Sequence, residues 1–439
     1  MMRQTVRVIC LLVAGAGVAA ELPPPFMALR WNGTAAESPA TIGKSLEALG
    51  QYPSCFDAIR FFGKSDGQAV DALRKSGLAV DVVENRAPAP SYSVDDHAPR
   101  GIVEGALRFA AGSPQAVAVI GNGRHCASGK TAHGLCVESL FYLSLGASGL
   151  EYDLMGYAHE PSAWYANTYM SELTLWRPFY QAYVRHNAGT QPGGVLPFCG
   201  KEGPSHLDGA LRSADALAFA GLPLCPGSAW PVCYVLNAES VESMTAVDIQ
   251  RVLSGGAILD GGAVARLQAR GYGAAMQLTA TPREPVVREV FTDDELNLNR
   301  VGYIWQPEAS CTNTYALSPS NEAARVIGRY QRLDGSSAEA ASVLTETASG
   351  GRIAAFGFAG FTAEISAARR RQLLLAADWV AQGRLPVFVE TVSQAVVVPR
   401  VTMAGDLRSV TVLNASIDVQ PPITLRLRGC PEGLESAEW

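Results

Sequence analysis

Glu151 and Asp153 are the first residues whose types and spacing suggest chemistry. They alternate with Leu150, Tyr152 and Leu154 in one short run. Side chains of a strand point to opposite faces in turn, so the three apolar residues can pack under helices while both carboxylates share the other face. A parallel strand usually reads apolar on both faces. Two acids on one inner face are costly unless they are paired, hydrogen-bonded or engaged with a ligand. Two readings follow: structural bonds to arginine or backbone N–H groups, or a site, because perturbed carboxylates gather in functional clefts. Paired carboxylates suit glycoside hydrolysis, in which one carboxyl protonates the leaving oxygen and the other acts from the far side of the anomeric carbon. Glu84, at the end of an apolar run, and Glu151 are the two candidate catalytic residues, with Asp153, Asp95 and Asp96 in reserve. A salt bridge to Arg86 is the alternative for Glu84. Asn122, His125 and Asp153 are candidates for positioning hydroxyls, and Trp164 or Tyr165 for stacking on a sugar ring. An aromatic loop of that kind also packs on itself as a lid.

The elements that must position these residues can be read around them. Ala116 to Ile120 is short and β-branched enough for a buried strand, and Gly121 to Thr131 is a polar, Gly-rich loop. A helix with Leu135, Leu140, Phe141, Leu143 and Leu145 closes at Gly146, and Gly149 to Met155 is the next strand. Strand, helix, strand makes a βαβ unit with parallel strands. The aromatic loop then lies at the C-terminal end of the second strand, where parallel α/β architectures place their sites.

Other chemistries fit less well. The loop ending Gly129-Lys130-Thr131 resembles a phosphate-binding loop, but Arg124 stands where that motif needs its first glycine. Lys130 is the residue on which a nucleotide reading turns. His125, Cys126, His133 and Cys136 match no standard zinc spacing, so no metal or other cofactor is expected. All six histidines lie at or before His206, which favours the first half as the place of chemistry.

A net charge of −6, with no long basic run, argues against nucleic acid as a partner. Hydrophobic residues at 48% and charged residues at 17% fit a well-buried globular chain rather than a disordered one. The start, MMRQTVRVICLLVAGAGVAA, has the basic and apolar regions of a secretory signal over residues 1–20 and is too short to span a bilayer. That reading implies a secreted or periplasmic protein. The rival is a buried strand from Val6 to Val13 in a cytoplasmic chain. Removal of Cys10 with the signal would leave eight of the nine cysteines, a number that permits disulfides.

Along the chain, strands are expected at Phe56 to Phe62 and Leu78 to Val83, and helices at Thr41 to Leu49, Gln68 to Ser76 and Gly101 to Ala110. Ser171 to His186 reads as a helix broken by Pro178. Further on come a strand at Val232 to Leu236, one helix over Ser240 to Leu253, and a strand and turn over Ala257 to Gly261. A helix follows from Val264 to Arg270. Strands are expected at Val286 to Phe291, Val301 to Trp305, Ala341 to Thr345 and Arg352 to Phe356, and a helix with an Arg-rich first turn over Ser366 to Ala381. Short β runs after Leu385 read as an all-β module.

The order of these parts, carried by LGASGLEYDL, RPFYQAYV, LSGGAILDGGAVARLQARGYG, GGRIAAFGFAG, RRRQLLLAADWVAQGRLPVFVE, VTVLNASID and ITLRLRG, resembles the multi-domain glycoside hydrolases of the family-42 β-galactosidase type over Gln115 to Gly429. The resemblance implies an α/β fold: a partial or atypical TIM barrel over 21–205, a doubly wound class I glutamine-amidotransferase-like domain over 206–385, and the start of a β-sandwich over 386–439. It also implies a carbohydrate substrate, no membrane partner, and self-association as a homo-oligomer through the second α/β domain. The span from Glu21 to Gly203 is shorter than the roughly 200–250 residues of a complete barrel. Within the barrel-like span the family's Asn-Glu pair appears in reverse, as Glu84-Asn85. A non-catalytic carbohydrate-binding or assembly relative is the alternative to a working hydrolase. With no histidine after His206, the second domain cannot hold a Cys/His/Glu amidotransferase set and reads as structural.

Overall fold

A computed structural model describes residues 8–12, 26–32, 51–52, 54–62, 67–75, 77–83, 99–112, 116–121, 130–153, 166–198, 216–226, 231–283, 288–305, 314–332, 334–358, 366–391, 394–415 and 422–429. The chain forms two compact units, an N-terminal one of Thr5–Gln191 and a C-terminal one built on Pro192–Trp439.

A short strand, Val8–Leu12 (β1), lies inside the N-terminal apolar stretch. The N-terminal unit is then organised by a five-stranded sheet of Met27–Asn32 (β2), Ala58–Phe62 (β3), Ala79–Val83 (β4), Val117–Gly121 (β5) and Gly149–Asp153 (β6). Its order is β4-β3-β2-β6-β5 and every pairing is parallel. Sequence neighbours are therefore sheet neighbours, except that the last strand lies against the first and β4 and β5 form the edges. The helices are Gly67–Arg74 (α1), Pro99–Gly112 (α2), Ala132–Ser144 (α3) and Ser171–His186 (α4).

One face of this sheet is apolar and covered. Met27, Leu29, Ile59, Phe61, Ala118, Ile120, Leu150 and Tyr152 are all buried. Helix α3 starts at the N-cap Thr131, whose hydroxyl accepts from Gly134 N–H. It is apolar on almost every side, as suits a helix packed between α2 and α4. The expected break at Pro178 is absent, because α4 runs unbroken to His186. A proline inside a helix costs about 3 kcal/mol. Burying Leu173, Tyr180 and Tyr183 on the same helix outweighs that, at roughly 1.5–3 kcal/mol per large apolar side chain. The expected helix at Thr41 to Leu49 lies outside the described residues.

The C-terminal unit contains Gly194–Pro197 (β7), Pro231–Leu236 (β8), Ala257–Asp260 (β9), Leu278–Arg283 (β10), Arg288–Phe291 (β11), Ile304–Trp305 (β12), Thr314–Pro319 (β13), Arg325–Gln331 (β14), Ser337–Glu346 (β15) and Arg352–Phe356 (β16) in one mixed sheet. The order is β12-β11-β14-β15-β16-β9-β8-β7, parallel from β7 to β16 and antiparallel beyond, with β10 and β13 branching from β15. A parallel bridge joins Leu224 to Val195 of β7, so the order of strands across the sheet, though not their direction, reverses between β7 and β8. Four of these strands, β7, β10, β13 and β14, have no counterpart in the sequence reading; in β10, β13 and β14 mixed polarity hides the alternation.

The helix expected over Ser240 to Leu253 is two helices, Ala238–Glu242 (α5) and Ala246–Gly255 (α6). Thr245 and Asp248 form a reciprocal capping box that starts the second one. Helix Gly261–Ala269 (α7) begins directly at the cap Asp260, followed by Gly273–Met276 (α8). Helix Ala367–Val380 (α9) is fastened to the antiparallel strands by Arg369, which pairs with the buried Glu289. Its guanidinium lies 4.2 Å from the Trp305 ring and 5.3 Å from that of Phe356. Beyond it, Ala395–Val401 and Leu407–Asn414 pair antiparallel, as do Val387–Val389 and Leu425–Leu427. The chain is thus a mixed α/β protein with one parallel and one large mixed sheet.

One ion pair gives a pH-dependent expectation. Arg325 grips Asp294 through Nε (2.9 Å) and Nη2 (2.6 Å), and Leu296 N–H adds a third bond. Burial alone would raise this carboxyl, but those bonds outweigh it and hold Asp294 below the usual carboxylate range. A depressed native value means that the unfolded chain takes up the proton first. The stabilisation is therefore present above about pH 4 and lost as pH falls through the native value. Urea unfolding from pH 7 to pH 3 should show this acid loss in the wild type and a shallower one in Asp294→Asn. Equal slopes would contradict it.

Candidate functional site

The other face of the parallel sheet is polar. Arg30 on β2, Arg60 on β3, Asp81 on β4, and Glu151 and Asp153 on β6 all occupy it, because the register sets each one residue away from the apolar face. The register sets Arg30 opposite Arg60 and Arg60 opposite Asp81. Glu151 is opposite Ala28, which in turn is opposite Ala58. That row of small residues leaves room for the long side chains to converge above it.

Glu151 stands at the centre, 3% exposed. Its Oε2 accepts a hydrogen bond from Arg60 Nη1 at 2.9 Å, and its Oε1 lies 3.7 Å from Arg30 Nη1. Arg60 Nε is 3.6 Å from Asp81 Oδ2, and the Arg30 guanidinium sits over the Phe62 ring at 4.5 Å. The two arginines would repel each other on adjacent strands, and Glu151 between them offsets that. Exposure rises outward, from Glu151 through Arg60, at 25% of its side chain, to Asp81 at 60%.

Of the residues picked out in the sequence, the structure brings Glu151 and Asp153 onto this shared face. Glu84, Asn122, His125, Trp164 and Tyr165 lie outside the described residues. The pairing of Glu151 with arginine is the structural alternative weighed for it above. It suits an anion, such as a hydroxyl acceptor or a nucleophile, and does not suit a proton donor. Arg30, Arg60 and Asp81 were not singled out. The signal was there: each is the one charged residue within the short apolar runs MALRWN, AIRFF and AVDVV.

Two other readings can be placed. Lys130 Nζ bonds Glu138 Oε2 at 2.7 Å, and both side chains are buried. Moving this ammonium to a phosphate would leave a buried carboxylate unpaired, which costs about 3–5 kcal/mol. His133 and Cys136 do not converge. The imidazole faces Glu172 and Trp176 near the surface, whereas Cys136 is fully buried and its thiol is pushed up to about 12 by that burial. Among the described residues no group of His, Cys, Asp and Glu is arranged to hold a metal. Cys55, Cys136 and Cys233 are free thiols. No described helix is long and apolar enough to cross a membrane.

A surface cavity of about 390 Å³ opens at the opposite end of the strands, lined by Phe56, Asp57, Thr174, Arg177 and Gln181 among others. Its charged groups are engaged in structure. Asp57 accepts from Phe26 N–H and Met27 N–H and pairs with Arg177, which also donates to Ser54 O. It lies at the N-terminal ends of β2 and β3, the stabilising rather than the functional end of parallel α/β sheets.

No protein-family model matches the chain, and none of the curated proteins is similar to it. The geometry of the polar face therefore carries the argument. Replacing Glu151 by alanine leaves Arg30 buried with its central partner gone, at a cost of about 3–5 kcal/mol. Arg60→Ala should cost less, because Arg30 still neutralises the carboxylate. Urea denaturation of the two variants tests this, and a change within about 0.5 kcal/mol for Glu151→Ala would contradict it.

Proposed function

We propose that the chain binds a carbohydrate on the polar face of its parallel sheet, as a non-hydrolysing relative of the family-42 β-galactosidase type. The observation that supports this reading is the line of charges from Glu151 through Arg60 to Asp81. Fixed guanidinium and carboxylate groups offer donors and acceptors side by side, which is what the vicinal hydroxyls of a sugar require. The strand order also fits. Each adjacency in β4-β3-β2-β6-β5 is one that a (β/α) barrel uses, including last strand against first, with the opening between β4 and β5. In the C-terminal unit, the order from Leu224 through β7, β8 and β9 to β16 agrees with a doubly wound, amidotransferase-like domain.

That second domain has a structural role in this reading. Asp260, at a strand end leading into a helix, spends its carboxylate on capping α7, and Tyr315 crowds Gly261 beside it. Self-association belongs to the same proposal, with the exposed Val301, Tyr303 and Ile304 beside edge strand β12 as the apolar surface. A secreted or periplasmic setting, where oligosaccharides are met, suits it.

A second reading, glycoside hydrolysis, is favoured by one observation. Glu151 and Asp153 lie on one face two residues apart, and a pair of carboxyls flanking one bond is what glycosidases use. Glu84 remains the other proposed partner of Glu151, in a retaining mechanism.

Calorimetric titration with galactose and β-galactosides, beside turnover of an aryl glycoside panel, separates these readings. Saturable binding without turnover is expected. Asp81→Ala, at the exposed end of the line, should weaken binding roughly 10- to 100-fold, the worth of hydrogen bonds to a charged group. Turnover that Glu151→Gln abolishes in a folded protein would favour hydrolysis instead, and no binding to any sugar would contradict both.

A further inference from the structure

The burial of its neighbours offsets the cost of Pro178 inside α4 but does not explain why a proline stands there. Proline has no N–H, so the Thr174 carbonyl, four residues back, receives no helical hydrogen bond from it. That carbonyl is an acceptor that the helix leaves over. Thr174 and Pro178 both line the surface cavity of about 390 Å³. With Arg177 and Gln181 they stand at helical spacing and make one wall, while Ser54, Phe56 and Asp57 make the other.

The charges of this cavity cancel. Asp57 Oδ2 accepts from Phe26 N–H at 3.0 Å and from Met27 N–H at 2.9 Å, and Oδ1 pairs with Arg177. Arg177 spends a second donor on the Ser54 carbonyl, at 2.8 Å. Its remaining N–H donors have no partner among the described residues, nor do the Gln181 amide and the Ser54 hydroxyl. Uncommitted donors and acceptors therefore stand side by side around a neutral space, with the exposed Pro178 ring as its apolar edge.

We propose that this cavity binds a small uncharged polyhydroxy compound, either a monosaccharide or a cyclic polyol. A carboxylate would have to compete with Asp57 for Arg177, and an ammonium would meet a carboxylate that already holds three N–H donors. Hydroxyls both donate and accept. They can give to the Thr174 carbonyl and Gln181 Oε1 and take from Arg177 and Gln181 Nε2. The volume falls within the roughly 300–1,000 Å³ of small-molecule sites. This cavity lies at the other end of the strands from the polar face, and its assignment does not rest on the reading of that face.

The test is calorimetric titration of the full chain with galactose, with myo-inositol and, as a charged control, with succinate. A saturable site for a neutral compound is expected that survives Asp81→Ala on the polar face. It should weaken about 3- to 10-fold in Gln181→Ala, the worth of one hydrogen bond between neutral groups. Pro178→Ala returns an N–H to the Thr174 carbonyl, so binding should fall by a similar factor while the variant unfolds in urea no earlier than the wild type. Tighter binding of galactose would assign a sugar, and equal binding a polyol. No saturable binding of either neutral compound would overturn the proposal. Tighter binding of succinate, or binding that Asp81→Ala removes, would do the same, as would unchanged binding in Gln181→Ala and a folded Pro178→Ala. The Gln181 amide supports no neighbour, so that variant decides the matter should Pro178→Ala not fold.

Discussion

A carboxylate held between two guanidinia on a parallel sheet is the constraint on which the N-terminal unit depends. Glu151, 3% exposed, lies against both Arg60 and Arg30, and its carboxylate stands between two guanidinia that face each other on neighbouring strands. The opposite face is ordinary apolar packing and would tolerate many substitutions of similar volume. The polar face is less forgiving, because its partners come from three strands whose mutual register must be kept. Ionic groups of this kind add little net stability over well-packed apolar ones.

That polar face gives the N-terminal unit its asymmetry. Parallel sheets are usually covered on both sides. Here one side lies under helices, and the other carries charges whose exposure increases from Glu151 toward Asp81. The C-terminal unit solves a similar problem differently. There Arg369 and Glu289 are enclosed by aromatic rings, and the pair fastens a helix to antiparallel strands.

The local part of this organisation was legible in the sequence. Alternation in Leu150 to Asp153 gave the strand, its two faces and the shared side of the acids. Apolar periodicity gave α3, and the Arg-rich start of α9 was plain. What alternation cannot supply is which side chain from which other strand will stand opposite. Arg60 lies 91 residues from Glu151 along the chain, and only the parallel register brings them together. Pro178 misled because propensity was read without the burial of Tyr180 and Tyr183 on the same helix. Thr245 was overlooked for the opposite reason, a local capping signal hidden in a longer apolar pattern. For Glu84, the sequence placed it just past β4, beyond the described residues.

The central claim is that Glu151 and Arg60 act as one unit rather than as two independent polar residues. A double-mutant cycle of Glu151→Gln and Arg60→Met, read by urea denaturation, measures this directly. The account predicts a coupling energy of about 0.5–3 kcal/mol, the range for residues in one ionic network. Additivity within about 0.3–0.5 kcal/mol, as for distant independent sites, would contradict it.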